Sequence, residues 1–351
     1  MNLENIVEEF EDSVESSGDE LFEHFSVTVD KGQGMMRVDK FLSTRMENTS
    51  RARIQSAADN GYIMVNGAPT KSSYKIKPLD EIQIMMPYER REVEIIPQNI
   101  PLDIVYEDEY LLVVNKRAGM VVHPGHGNYE GTLVNALAYH LGESEPMFGE
   151  GCDLRAGLVH RIDKNTSGLL VIAKRADIHS HLANQFFHHT TERTYHALVW
   201  GCPSELEGRI ETMIGRSVRD RLQMSVLSDD DPLGKVAITH YRVLESMGYV
   251  SLVECRLETG RTHQIRVHMK HLGHPLFNDE RYGGDRILRG TTYTKYKQYV
   301  QNCFSLMPRH GLHALTLGFE HPVSGECMQF SSVYPEDFRG CLEKWRNYVN
   351  Y

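Results

Sequence analysis

Between residues 36 and 87 the apolar positions change period from helical to strand-like. Val38, Phe41 and Leu42 recur at helical spacing behind Arg37. A second helix is predicted over 51–59, capped by Thr49 or Ser50 and stopped at Asn60-Gly61. Tyr62 to Val65 then reads as a strand entering an Asn66-Gly67 turn, and another short strand follows near 81–85. Residues 88–100, set among Pro87, Pro97 and Pro101 with mixed charges, read as a linker. From Leu102 onward strands dominate. Residues 104–116 give strand, acidic turn, strand; Gly119 to Val122 gives a short strand; a helix opens at Thr132. Leu169 to Ala173 is an apolar β-type run. Over 193–199 alternation puts Tyr195, Ala197 and Val199 on one face. A further strand ends at Thr259-Gly260, and a helix follows with Ile265, His268, Met269 and Leu272 on one side.

Charge sharpens this division. The 351 residues carry 38 Lys and Arg against 48 Asp and Glu, a net of −10. Residues 1–30 alone hold ten acidic side chains and no Lys or Arg, so the rest of the chain is balanced. Residues 1–35 are therefore expected to be a disordered acidic leader, either simply solvating or competing with phosphates for the basic segment behind it. That segment, 31–87, holds nine basic and five acidic residues. Six scattered cysteines fit a reducing compartment better than a disulfide framework or a zinc ribbon. No apolar run is long enough for a membrane span, and the first 30 residues lack the basic and apolar regions of a secretion signal. A cytoplasmic protein is the expectation.

The chemistry concentrates in two motifs. In His160-Arg161-Ile162-Asp163-Lys164-Asn165-Thr166-Ser167-Gly168 a single carboxylate sits on a short polar loop leading into the apolar run. A lone Asp on a loop ordinarily caps a turn. This nine-residue run, however, resembles the HRLDxxTSG signature of the RluA-type pseudouridine synthases, with Ile162 as a volume-conserving departure. The second motif, Leu257-Glu258-Thr259-Gly260-Arg261-Thr262-His263-Gln264-Ile265-Arg266, is similar to another signature of that family, as are Arg193-x-Tyr195 and the closing segment Leu312-His313-Ala314. Histidines 263, 268, 271 and 274 lack the Asp, Glu or Cys of a recognisable metal set, so no metal is expected. His123-Pro124-Gly125-His126-Gly127 lacks the Gly-Lys-Ser/Thr of a phosphate-binding loop, so no nucleotide cofactor is expected either.

The resemblance implies an α+β fold: a mixed, largely antiparallel sheet with flanking helices over 101–351, and the active site in a cleft across it. It implies Asp163 as the catalytic carboxylate. Arg266 would pair with it, and Tyr195 would stack on an extruded base with its hydroxyl near the carbon that loses a proton. Leu312 would help wall the base pocket, and Arg161 is a candidate to fill the space the uridine vacates. Arg261 would bind phosphate or pack its turn. Residues 36–87 resemble a small α/β S-four-like RNA-binding domain, with Arg51, Arg53 and Lys71 as phosphate-gripping candidates. Arg209, Arg216, Arg219 and Arg221 form a basic cluster that either is solvated or grips RNA. The two-domain layout is most similar to the RluD-type members, which implies structured RNA, a large-subunit ribosomal stem-loop, as the partner of a monomeric, cofactor-free enzyme. The competing reading is a non-catalytic RNA-binding ribosome-assembly factor. A glycosidase-like hydrolase would want a second carboxylate, for which Asp153 is the candidate.

Overall fold

The computed structural model describes residues 21–46, 51–86, 95–125, 128–142, 157–217, 220, 223–231 and 233–349. The expected cap at Thr49 or Ser50, much of the leader and linker, and His126, Asp153, Arg219 and Arg221 lie outside these residues. Two compact units divide the chain near residue 95.

In the first unit, helices α1 (Val38–Arg45) and α2 (Arg51–Asp59) pack on an antiparallel sheet of β1 (Phe22–Thr28), β2 (Ile63–Val65), β3 (Ala68–Pro69) and β4 (Glu81–Met86), in the order β1-β4-β2-β3. Val38, Phe41 and Leu42 meet Ile54, Ala58, Ile63, Ile82 and Ile84 in one buried cluster. Asn66 and Gly67, with φ of 52° and 78°, make the tight hairpin between β2 and β3. The expected leader is corrected at its C-terminal end. Residues 22–28 form an edge strand on β4, because that pairing supplies backbone partners which the local acidic composition does not reveal.

The second unit is built on a ten-stranded sheet among the described residues. Its strands are β5 (Ile104–Glu107), β6 (Leu111–Lys116), β7 (Ser167–Ala173), β8 (Glu192–Trp200), β9 (Glu207–Arg216), β10 (Met224–Leu227), β11 (Lys235–Ser246), β12 (Val250–Leu257), β13 (Leu312–Glu320) and β14 (Cys327–Ser331). They run in the order β10-β9-β11-β12-β8-β13-β7-β6-β5, with β14 added on β13. Every described pairing is antiparallel except β13 with β7. The fold is therefore α+β with a mixed, mainly antiparallel sheet.

Both faces of the sheet are covered, which explains why Leu111 to Val114 of β6 and Leu169 to Ala173 of β7 are apolar without alternation. On one face Leu112, Leu170, Tyr195, Ala197 and Ala314 meet α3 (Leu133–Leu141) and α5 (Gln264–His271). On the other, Val113 and Val171 meet α4 (Ala176–Phe187), while Leu198 and Trp200 meet α6 (Thr294–Leu306) and α7 (Glu336–Val349). The short strand expected from Gly119 is absent. Met120 and Val122 are buried, but the carbonyls of Val121 and Val122 accept from the Leu133 and Val134 amides and so serve the first turn of α3. No helix among the described residues is long and apolar enough to cross a membrane.

Candidate active site

Asp163 sits on the turn before β7, where the Thr166 amide donates to its carbonyl at 3.0 Å. Three anchors hold this turn. Gly168, at φ 121°, lies so close to β13 that a Cβ would stand 2.1 Å from the Ala314 carbonyl oxygen, so only glycine permits the parallel approach. The buried ammonium of Lys116 donates to the carbonyls of Met120 and Lys164 at 2.7 and 3.0 Å. Arg309 donates to the Asn165 carbonyl at 2.9 Å, to the Ser167 hydroxyl at 3.3 Å, and through the Nε–Nη2 edge of its guanidinium to Asp337 of α7 at 2.6 and 3.0 Å.

Arg266, in the first turns of α5, reaches across to this loop. Its Nη1 donates to Asp163 Oδ2 at 2.8 Å, while Nε and Nη2 hold Asp279 at 2.8 and 2.9 Å. Asp279 is almost wholly buried and anchors the arginine; the Asp163 side chain keeps 17% of its surface exposed. Tyr282 lies under the guanidinium, its ring centroid 4.8 Å from Cζ. Only one carboxylate oxygen of Asp163 is engaged this way. Among the described residues no hydrogen bond reaches Oδ1.

Burial alone would raise the Asp163 carboxyl. The charges that His263, Arg266, His310 and Arg161 can place around it outweigh burial and hold it well below the usual carboxylate range. Burial also pushes His263 down to about 3 and His310 well below its ordinary value. Both rings are neutral at pH 7, so the permanent charges of Arg266 and Arg161 are what oppose burial at Asp163. His310 is fixed against the Thr166 hydroxyl at 2.9 Å, and His263 Nε2 stands 3.8 Å from Asp163 Oδ2.

Tyr195 on β8 and Leu312 at the start of β13 lie on adjacent strands in one apolar cluster with Ile162 and Ile265. Burial raises the Tyr195 phenol, so it is protonated; it lies within electrostatic reach of both Arg193 and Asp163. Arg161 is half-buried and bears on Asp163. Sequence therefore identified a set that converges: Asp163, Arg266, Tyr195, Leu312 and Arg161.

Other expectations fare differently. Arg261 Nε donates to the Val236 carbonyl of β11 at 3.0 Å. Arg51 donates to the buried Asp39 at 3.1 Å, so it is partly a structural residue rather than a bare phosphate grip. Lys71 is exposed on the small unit. The side chain of Arg53 lies outside the described residues, as do Arg219 and Arg221. Arg209 pairs with Glu211 and, at 3.6 Å, with Glu258. His263, His268 and His274 turn to Tyr282, to Thr239 and Thr212, and to the Trp200 carbonyl respectively. Among the described residues no three potential ligands gather for a metal. The sequence reading missed His263, Asp279, Tyr282, Arg309 and His310 as site residues. His263 and Arg266 share one motif, which was the available signal; the others meet the loop only through the fold.

Comparison with known proteins gives this geometry a family. Residues 110–271 match the RNA pseudouridylate synthase family. The chain is 44% identical to an uncharacterised RNA pseudouridine synthase of Chlorobaculum parvum, over 92% of this chain and 97% of that protein. It is equally 44% identical to the ribosomal large subunit pseudouridine synthase D of Zymomonas mobilis, over 86% and 92%. Among solved structures, human RNA pseudouridylate synthase domain containing 4 superimposes with a TM-score of 0.54 at 26% identity, covering 69% of this chain and 92% of that one. The chain belongs to the RluA-type family of RNA pseudouridine synthases.

Proposed function

We propose that this pseudouridine synthase acts on a stem-loop of large-subunit ribosomal RNA, with Asp163 as its reacting carboxylate and no cofactor. The observation that carries the assignment is the half-satisfied Asp163. Arg266 holds Oδ2, while Oδ1 has no hydrogen bond among the described residues. The names of relatives in Zymomonas mobilis and Neisseria meningitidis, ribosomal large subunit pseudouridine synthase D, support the choice of RNA.

The isomerisation breaks the bond from uracil nitrogen one to the sugar, turns the base, and rejoins it through carbon five. Carbon five loses a proton and nitrogen one gains one, so no redox equivalent or phosphate donor is consumed. An ionised carboxylate held by a permanent cation suits attack on the base or sugar, or stabilisation of a cationic sugar. The buried Tyr195 ring offers a stacking face, with its hydroxyl near the carbon that loses a proton. Leu312 walls the base. Extruding the uridine costs a few kcal/mol of unstacking, which Arg161 offsets by filling the gap. Lys71 and the exposed part of Arg51 grip phosphates on the small unit.

The test is incubation with large-subunit, small-subunit and transfer RNA carrying tritium at uridine carbon five. Release from large-subunit RNA alone is expected. Release only from another RNA would refute the substrate assignment, and release by Asp163→Asn would refute the catalytic one.

A further inference from the structure

His263 occupies an unusual backbone position. It is the residue before α5 and adopts the left-handed conformation, φ 56° and ψ 17°, which a non-glycine side chain adopts only at a cost. That conformation turns the ring inward, where its side chain is only 8% exposed. The ring meets Tyr282 edge-on, with centroids 5.5 Å apart and planes at 86°.

The hydrogen bonds there have a direction. The Met224 amide donates to the Tyr282 oxygen at 3.1 Å, and that oxygen lies 2.7 Å from His263 Nδ1. The phenol proton can point at Nδ1, and the Asp163 carboxylate opposite Nε2 favours that arrangement, because a bare lone pair on Nε2 would face its negative charge. In a neutral imidazole the remaining proton then sits on Nε2. Nε2 is the nitrogen that faces Asp163, 3.8 Å from Oδ2. Burial, with Arg266, Arg281 and Arg161 in electrostatic reach, outweighs the pull of Asp163 and disfavours a second proton on the ring.

We propose that His263 is a positioning residue for Asp163: Tyr282 and the Met224 amide lock it in the tautomer that offers a neutral N–H to Oδ2, beside Arg266, so that Oδ1 is the oxygen left to react. The 3.8 Å separation exceeds a hydrogen bond, so the proposal requires this contact to shorten in the RNA complex. Two donors on one oxygen fix the carboxylate's rotation, which Arg266 alone holds through a single nitrogen. A neutral second donor orients the carboxylate without adding another full charge that would blunt its reactivity. The inference rests on Asp163 being the reacting group.

The test uses the full-length enzyme and its RNA, with four variants in one assay. His263→Leu should lower kcat at least tenfold with KM within about twofold, in line with the loss of one oriented donor. In His263→Gln the side-chain amide can place an N–H near the position of Nε2, and most of the lost kcat should return. Tyr282→Phe keeps the ring under Arg266 and removes only the lock; kcat should fall about threefold to tenfold. Wild-type kcat in either His263→Leu or Tyr282→Phe overturns the proposal, and so does a Gln variant as impaired as the Leu variant. If His263→Leu does not fold, Tyr282→Phe decides alone. Asp163→Asn separates the two claims. An active Asn variant refutes the catalytic assignment, whereas an inactive one beside a fully active His263→Leu refutes only the role of His263.

Discussion

Two carboxylates, one in each unit, look alike by charge and differ in coordination. Asp39 on α1 is fully buried, and both of its oxygens are saturated. Oδ1 accepts from Arg37 Nε at 3.1 Å and the Lys40 amide at 2.7 Å; Oδ2 accepts from Arg37 Nη2, Arg51 and Gln55 at 2.9, 3.1 and 2.7 Å. Asp163 is also arginine-bound, yet only Oδ2 is held. Burial opposes ionisation in both, and in both the surrounding partners bring the carboxyl well below its usual range. A depressed pKa therefore does not distinguish a structural carboxylate from a reactive one here. Completeness of coordination does: a carboxylate with every lone pair occupied has nothing left for chemistry.

Substitutions can break this contrast. The largest expected effect is on Asp163→Asn, which should cost at least about 10⁴-fold in turnover, the scale of losing a nucleophile. Arg266→Met should follow, at about 10² to 10³-fold in kcat, because the permanent charge on Asp163 is gone. It should also destabilise the catalytic unit by about 3 kcal/mol, since Asp279 is left buried without its partner. Arg266→Lys should rescue little, because an ammonium cannot bridge two carboxylates in the planar fork that Arg266 uses. Steady-state kinetics with thermal unfolding checks all three.

A smaller effect is expected at Asp337, well away from the base pocket. Asp337→Asn loosens Arg309, which ties α7 to the Asn165 carbonyl in the loop that carries Asp163. We expect about a tenfold loss of kcat with RNA affinity unchanged in a filter-binding titration. Equal losses in both would mean that the contact serves binding instead.

The two units should also part company in acid. Burial holds His160 and His263 near 3, and His268 and His313 near 4, all in the catalytic unit. Their ordinary value is 6.5, so the unfolded chain takes up protons between those values that the folded unit refuses. Stability from this source is complete above about pH 6.5 and is lost as the pH falls toward 4 and then 3. Hydrogen exchange between pH 7 and 4 should show β7, β8 and α5 losing protection first. Strands β2 and β4 should hold until carboxylates begin to protonate.

The same contrast explains what the sequence could reveal. Asp163 and Arg266 were legible because each lies in a contiguous motif, although 103 residues separate them. The apolar alternation around Tyr195 and the Asn66-Gly67 turn were legible because period and turn chemistry are local. Strand β1 was not, since residues 22–28 sit in an acidic stretch and become a strand through pairing with β4. The sequence offers Arg51 as a phosphate-gripping candidate, because nothing local shows that Asp39, twelve residues earlier, turns toward it. Arg309 and Asp337 reach the catalytic loop from the far end of the chain, a contact that only the fold creates.

The most direct measurement sets Asp163→Asn beside Asp39→Asn, recording tritium release from large-subunit RNA and thermal unfolding of each. Asp163→Asn should abolish release while unfolding stays close to wild type. Asp39→Asn should keep wild-type release per folded molecule while the small unit loses about 2 kcal/mol, the cost of leaving donors around a buried group unmatched. Wild-type release from Asp163→Asn would contradict the account at its centre.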